Sequence, residues 1–453
     1  MKNYKSFTGT VEFNGEKCQF VFNDYKLTIE VSSFNGIDPF STNKELPIDN
    51  LIGAIATEPH FVYFAFDKSA YTANFSSRGY SAFNVVVYIK YYCVLNRPFF
   101  GKGITIQFRN NSFQKWLGVY PKYLNKDNPL SVPNVIAIKN DTLNISSSFT
   151  YRGLRYIAKP DYSITSSQVH FDFVSILGVE CVDEVDYESI YSLCILLVKV
   201  VRFFFYRYFI SLGDISLRSP VNIDGKTYYE EIGRFFFRYE EREIEPIDLG
   251  KYLDFGFIRW EDFSAYLPEL IKRIENNQIY LYHFPEKRID RFRTDFPLIS
   301  TVSAAFECEF SRCFSKYETF KKTDINYLEL KNKISIIEIN DNQRDIIANI
   351  LSNYFDNPSL QERAEYALGY FSEVLDEFKQ EKKLNIKRIA QVFRNTRNKI
   401  DHGDLRFSID DEIANTFYYL RITVLCMQLL CLGVEKEKMV PIIKPVLSID
   451  CNK

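Results

Sequence analysis

The residues best equipped for chemistry are Arg394, Arg397, Asn398, Lys399 and His402, all inside Arg394-Asn-Thr-Arg397-Asn398-Lys399-Ile-Asp-His402-Gly403-Asp404. Arginine binds phosphate oxygens through a fixed fork of donors. Histidine moves protons near neutral pH, and the Asn398 amide both donates and accepts. Together they form a kit for cutting RNA without a metal. Of the four histidines, His60, His170, His283 and His402, only His402 sits beside an arginine cluster at the end of an amphipathic helix. The others lie far apart, without metal-ligand spacing.

The element that must position this kit is a helix expected over 384–402, with Ile386, Ile389, Ala390 and Phe393 on its core side. Gly403 suits the left-handed position that ends a helix. Positions 397 and 402 fall about 140° apart on an ideal helix. His402 is therefore expected to turn at the helix end rather than share the Arg397 face. Residues 381–406 carry eight Lys or Arg against three Asp or Glu. A solvated basic face is the commonest origin of such a run, and the helix dipole alone favours cations in a last turn.

Around that helix, the chain after about residue 297 reads as helical. Further helices are expected over 298–319, 340–355, 361–380 and 409–432, with a short one after Glu435. Phe306, Phe310 and Phe314 repeat on one face of the first. Ser408 is the expected cap of the 409 helix. Short connections favour antiparallel neighbours. The first half reads as β. Asn14-Gly15 between GTVEF and CQFVF is a hairpin signal. KLTIEV, FVYFAF, FNVVVYIKYY, GITIQF, NVIAIK, SSFTYR and QVHFDFVSIL follow. Short strands at this spacing imply a sandwich or barrel-like sheet. A helix opening at Asp183 and a turn at Asp224-Gly225 come next. The fold class is α+β, multidomain: a β-rich region over 1–290, with a sub-boundary near 180, then an all-α antiparallel bundle over 291–453.

Composition narrows the function. A formal charge of −2 excludes a protein that coats nucleic acid over its whole surface. Any RNA contact must be a local patch. Nine cysteines without CxxC spacing fit reduced thiols in a cytoplasmic protein. The 41 Phe and 31 Tyr are first of all core material. Tyr191–Leu212 is long enough to span a membrane. Lys199, Arg202 and Arg207 near its middle would each cost roughly 2.5–3.5 kcal/mol there, so a buried helix is expected. No GxxxxGK[ST] loop or GxSxG elbow is present.

Arg397-Asn398-x-x-x-His402 resembles the R-(polar)-x3-His motif of the HEPN superfamily, at a helix end before one long final helix. Phe306-Glu307-Cys-Glu309-Phe310 resembles the acidic, aromatic opening helix of those domains. A long β-rich region before such a bundle resembles the ApeA-like proteins of bacterial anti-phage defence. The resemblance implies a metal-independent endoribonuclease with no cofactor, in which a ribose 2′-OH attacks the adjacent phosphate. His402 would transfer protons, Arg397 would bind the phosphate, and Asn398 would orient the imidazole or the scissile group. Arg394 and Lys399 would meet flanking RNA phosphates, and Glu307 or Glu309 would pair with Arg397. RNA such as tRNA, a second copy of the chain and a phage-derived trigger at the N-terminal region are the implied partners. Two other readings stay open: a HEPN module that binds RNA or nucleotide without cutting it, and a ligand-recognition protein with a β-sandwich pocket and a dimerising bundle.

Overall fold

In the computed structural model, the residues described are 4–31, 49–75, 83–97, 102–110, 112–119, 121–123, 136–138, 142–166, 171–238, 256–286, 290, 293–314, 329, 332–334, 336–337, 340–356, 358–379, 384–404 and 406–447. His170, residues 134–135, 139 and 168–169 of the expected strands, and 315–319 and 380 of the expected helices lie outside them. The chain forms two compact units. One comprises 1–198 and 210–247, the other 199–209 and 248–453. The chain thus passes between units ahead of the charged stretch near 290 at which the sequence changes character.

The first unit is built on hairpins. β1 (Ser6–Phe13) and β2 (Glu16–Asn23) meet through Asn14 at φ 50° and Gly15 at φ 79°. Both central residues have positive φ, which matches the right-handed twist of the flanking strands. The Asp24-Tyr25 turn does the same before β3 (Lys26–Val31), at φ 45° and 61°. β4 (Asn50–Ile55), β5 (Phe61–Phe75) and β6 (Phe83–Leu95) complete a closed ring. β5 pairs with both β4 and β6, so the order β6-β3-β2-β1-β4-β5 returns to β6 and makes a six-stranded barrel.

β6 carries the junction. Its first half pairs with β3, and its Tyr91–Leu95 half pairs with β14 (Lys226–Phe237). The sheet continues outward through β13 (Asp214–Ile223), β7 (Thr105–Arg109), β12 (Phe171–Cys181), β11 (Leu154–Ser166) and β10 (Ser147–Tyr151). A small separate pair, β8 (Pro121–Tyr123) and β9 (Ile136–Ile138), lies outside that sheet. Alternation explains the barrel's filling. Cys18, Phe20 and Phe22 of β2 face inward while their neighbours face out. Phe20, Phe22, Phe64 and Tyr92 meet ring to ring at 4.7–6.4 Å. The aromatic wealth of this unit is therefore core, and the barrel interior is packed. Gly9 is required at the β1–β4 seam: a Cβ there would stand 2.1 Å from the Ala54 carbonyl oxygen and 2.7 Å from the Phe20 ring.

Short α1 (Phe113–Leu117) precedes α2 (Tyr187–Phe205), the apolar segment expected to be buried. Its residues from Leu193 to Phe204 are mostly inaccessible. α3 (Trp260–Phe263) and α4 (Leu267–Glu275) were not anticipated; Pro268 near the start of α4 and the buried Leu267, Leu270, Ile271 and Ile274 explain that helix.

The second unit continues with α5 (Phe296–Cys313), α6 (Asp341–Asp356), α7 (Leu360–Tyr370), α8 (Ser372–Asp376), α9 (Ile386–Asp401), α10 (Asp411–Cys431) and α11 (Lys436–Leu447). The single helix expected over 361–380 is broken at Phe371, whose buried ring turns into the core. α10 is the bundle's central helix. From Thr416 to Leu429 only Tyr419 is not buried, as expected of a helix enclosed on all sides. It is also, among the described residues, the helix long and apolar enough to cross a membrane by length and composition, with 67% of that window buried. Its cap is Asp410, which accepts from the Ile413 N–H at 2.9 Å, and not Ser408. A carboxylate at that position satisfies an orphan N–H and opposes the helix dipole as well.

Candidate active site

Three helices supply the groups around Arg397. α5 starts at Asp295, whose carboxylate accepts from the Leu298 N–H at 3.0 Å. Ile299, Val302, Phe306 and Phe310 anchor it in the core. α9 is capped by Asn385, which accepts from the Arg388 N–H at 3.1 Å. The Phe393 ring of α9 contacts Phe306 at 5.2 Å and Phe417 of α10 at 5.8 Å. At α9's start, the Arg388 guanidinium grips the Glu412 carboxylate at 2.7 Å through two N–H groups, tying it to the first turn of α10.

One turn beyond Phe393, Arg397 emerges on the α5 side. Its Nη2 lies 3.0 Å from Glu307 Oε1, and its Nη1 contacts the Asp401 carboxylate. Arg363 of α7 approaches the other Glu307 oxygen at 3.6 Å. In α7, Tyr366 stands against Phe310 and Phe314, and Tyr370 against Phe314. The Arg397 cleft, about 120 Å³, is lined by Ser300, Ser303, Ala304, Glu307, Arg397 and two residues of α9's last turn. Arg397 and Glu307 are each about a third exposed. A pair so wetted is worth only ~0.2–1 kcal/mol.

His402 is the C-cap of α9, at φ −85° and ψ 6°. Gly403 follows at φ +71°; its N–H donates to the Ile400 carbonyl at 2.9 Å and the Asp404 N–H donates to the Lys399 carbonyl at 2.9 Å. These two bonds are the Schellman pattern. They fix the chain direction immediately after His402, whose side chain is exposed. Asn398 is exposed as well. Neither lines the Arg397 cleft, in keeping with the angular offset expected from the sequence.

The remaining expected residues have local partners. Arg394 directs Nε and Nη2 to the Asn395 amide oxygen at 3.2 and 2.9 Å. The Lys399 ammonium sits 4.9 Å from the Phe407 ring centre, and Phe407 rests edge-on against Phe296 at 5.2 Å. Glu307, not Glu309, is the acid that meets Arg397. Glu309 is buried, accepting from the Tyr280 N–H at 2.5 Å and from Arg312 at 2.9 Å. Burial raises its carboxyl above the usual range, so it belongs to the core. The sequence reading missed Asp401, although an acid four residues beyond Arg397 is the i,i+4 signal that finds it. Ser300 and Ser303 carried no such signal.

Residues 310–438 match the family model described as Apea-like HEPN. The match takes in α6 to α10 and the whole Arg394–Asp404 stretch, and it begins within α5 after Glu307 and Glu309. The helical region thus carries a C-terminal ApeA-like HEPN domain, behind a β-rich, barrel-containing N-terminal region. Comparison with curated proteins and with solved structures finds no match.

Proposed function

We propose that this protein is a metal-independent endoribonuclease of bacterial anti-phage defence, acting in the cytoplasm on single-stranded RNA loops such as those of tRNA. At the level of its family, the ApeA-like HEPN domain supports a nuclease-type anti-phage role. The finer reading rests on one observation. Arg397, Asn398 and His402 close α9 within the matched span, with His402 solvent-facing on a capped helix end.

In this reading Arg397 binds the scissile phosphate and the charge that develops on it. His402 takes or returns a proton, and Asn398 holds the imidazole or the phosphate in register. Attack by the 2′-OH yields a 2′,3′-cyclic phosphate and a 5′-OH. Loops suit the reaction because their backbone can bend for in-line attack. Base and acid are both needed, and each chain offers one histidine at this place. Two copies facing one cleft would supply the pair, so the active form is a homodimer through the helical domain. Glu307 and Asp401 hold Arg397 until RNA displaces them. The N-terminal region senses a phage-derived trigger and releases the activity.

The test uses full-length protein, an extract of phage-infected cells as the source of trigger, and EDTA throughout. The wild type is expected to cut RNA, and Arg397→Ala to lose at least 10²-fold in rate. Unchanged cleavage by Arg397→Ala overturns the assignment. Undiminished RNA affinity without cleavage under any condition would instead support a binding module.

A further inference from the structure

Cys313 is the last residue of α5 and Cys431 the last residue of α10. Both cysteines are free and partly exposed, unlike the buried Cys93, Cys194 and Cys426. Their thiols share a hydrogen bond. One turn earlier, Gln428 Nε2 reaches Glu309 Oε1 at 3.4 Å, so the two helix ends lie side by side over successive contacts. The groups facing the pair are Glu309 and Arg312 of α5 and Arg273 of α4.

We infer that Cys313 and Cys431 form a reversible dithiol–disulfide site, oxidised by peroxide, that ties the end of α5 to the end of α10. The polarity of the pair suits such a step. The hydrogen bond from Cys313, helped by Arg273 and Arg312, holds the Cys431 thiol below its ordinary value, while the same bond raises that of Cys313. Cys431 is therefore the attacking sulfur and Cys313 the resolving one. The Cys431 thiolate displaces water from hydrogen peroxide, taking up one oxygen as a sulfenic acid. The Cys313 sulfur then attacks that sulfur and expels a second water. In sum, two thiols and one peroxide give one disulfide and two waters. An S–S bond is about 2.05 Å long, so closing it draws together two side chains that already meet at the ends of their helices. The site is independent of the ribonuclease reading, since neither sulfur belongs to the Arg397 cleft.

Full-length protein is treated with hydrogen peroxide, quenched with N-ethylmaleimide and digested without reduction. The expected product is one peptide pair joining Cys313 to Cys431, reversed by dithiothreitol, with Cys93, Cys194 and Cys426 still alkylatable after denaturation. In Cys313→Ser the unresolved Cys431 sulfenic acid accumulates and is trapped by dimedone, whereas in the wild type it is not. Cys308→Ser leaves the linkage intact and serves as a fold control. Separate alkylation or separate over-oxidation of Cys313 and Cys431, or a link of either to another cysteine or another chain, overturns the inference.

Discussion

Arg397 is the residue on which the proposed chemistry depends, and two carboxylates already neutralise it. Replacing Glu307 by Gln removes one negative charge 3.0 Å from the guanidinium while keeping the side chain's shape. RNA affinity should then rise severalfold, measured by filter binding at fixed salt, and stability should change by about 1 kcal/mol or less. Weaker binding would mean that Glu307 helps to orient Arg397 for phosphate rather than compete with it. A second residue reports on the core of the same unit. His283 is fully buried among Tyr206, Tyr280 and Phe284. Burial first, and Arg421 next, push its imidazole down to about 3. The folded-state value lies below the unfolded one, near 6.5. The stability it contributes is therefore complete above pH 6.5 and is lost as the pH falls toward 3, at up to about 1.4 kcal/mol per unit. Denaturant titrations between pH 7 and 4.5 should show a smaller loss in His283→Phe than in the wild type. Equal slopes would refute the assignment.

Elements were legible where a local signal fixes them. The Asn14-Gly15 and Asp224-Gly225 turns are both present with positive φ at each central residue. α9 was expected over 384–402 and spans Ile386–Asp401, because its apolar spacing, its cap and Gly403 all agree. The break at Phe371 was not legible, since nothing in the local pattern distinguishes a helix that bends its ring inward from one that runs on. The Arg397–Glu307 contact was half legible: the two acids of α5 were visible, and only packing decides which one faces α9. At this scale Gly403→Ala is the informative change. An added Cβ meets no atom within 4 Å, so its cost is that of the left-handed backbone alone. That is about 1–2 kcal/mol, and thermal unfolding of the helical unit should show it. The residue immediately before it is His402, so any cleavage activity should fall further than stability does. A variant as stable as the wild type would contradict the cap.

For the whole molecule, strand content and a sandwich or barrel-like sheet could be read, but which strands close the barrel could not. Closure depends on β6 pairing along one edge with β5 while its other edge is divided between β3 and β14. β3 and β14 lie far from β6 in sequence, and alternation within a strand says nothing about them. In the described part of the barrel the rings of Phe22, Phe64 and Tyr92 pack against one another as core. In the helical unit the exposed His402 and the carboxylate-paired Arg397 sit on different faces of one helix end. In the proposed function this is half of a catalytic cleft, completed by a second copy, and His402 cleaves RNA without a metal. The direct measurement digests end-labelled tRNA in EDTA with activated wild type and His402→Ala side by side, and identifies the new ends. The expected result is 2′,3′-cyclic phosphate and 5′-OH ends with the wild type and a loss of at least 10²-fold with His402→Ala. Equal cleavage by the two proteins would contradict it.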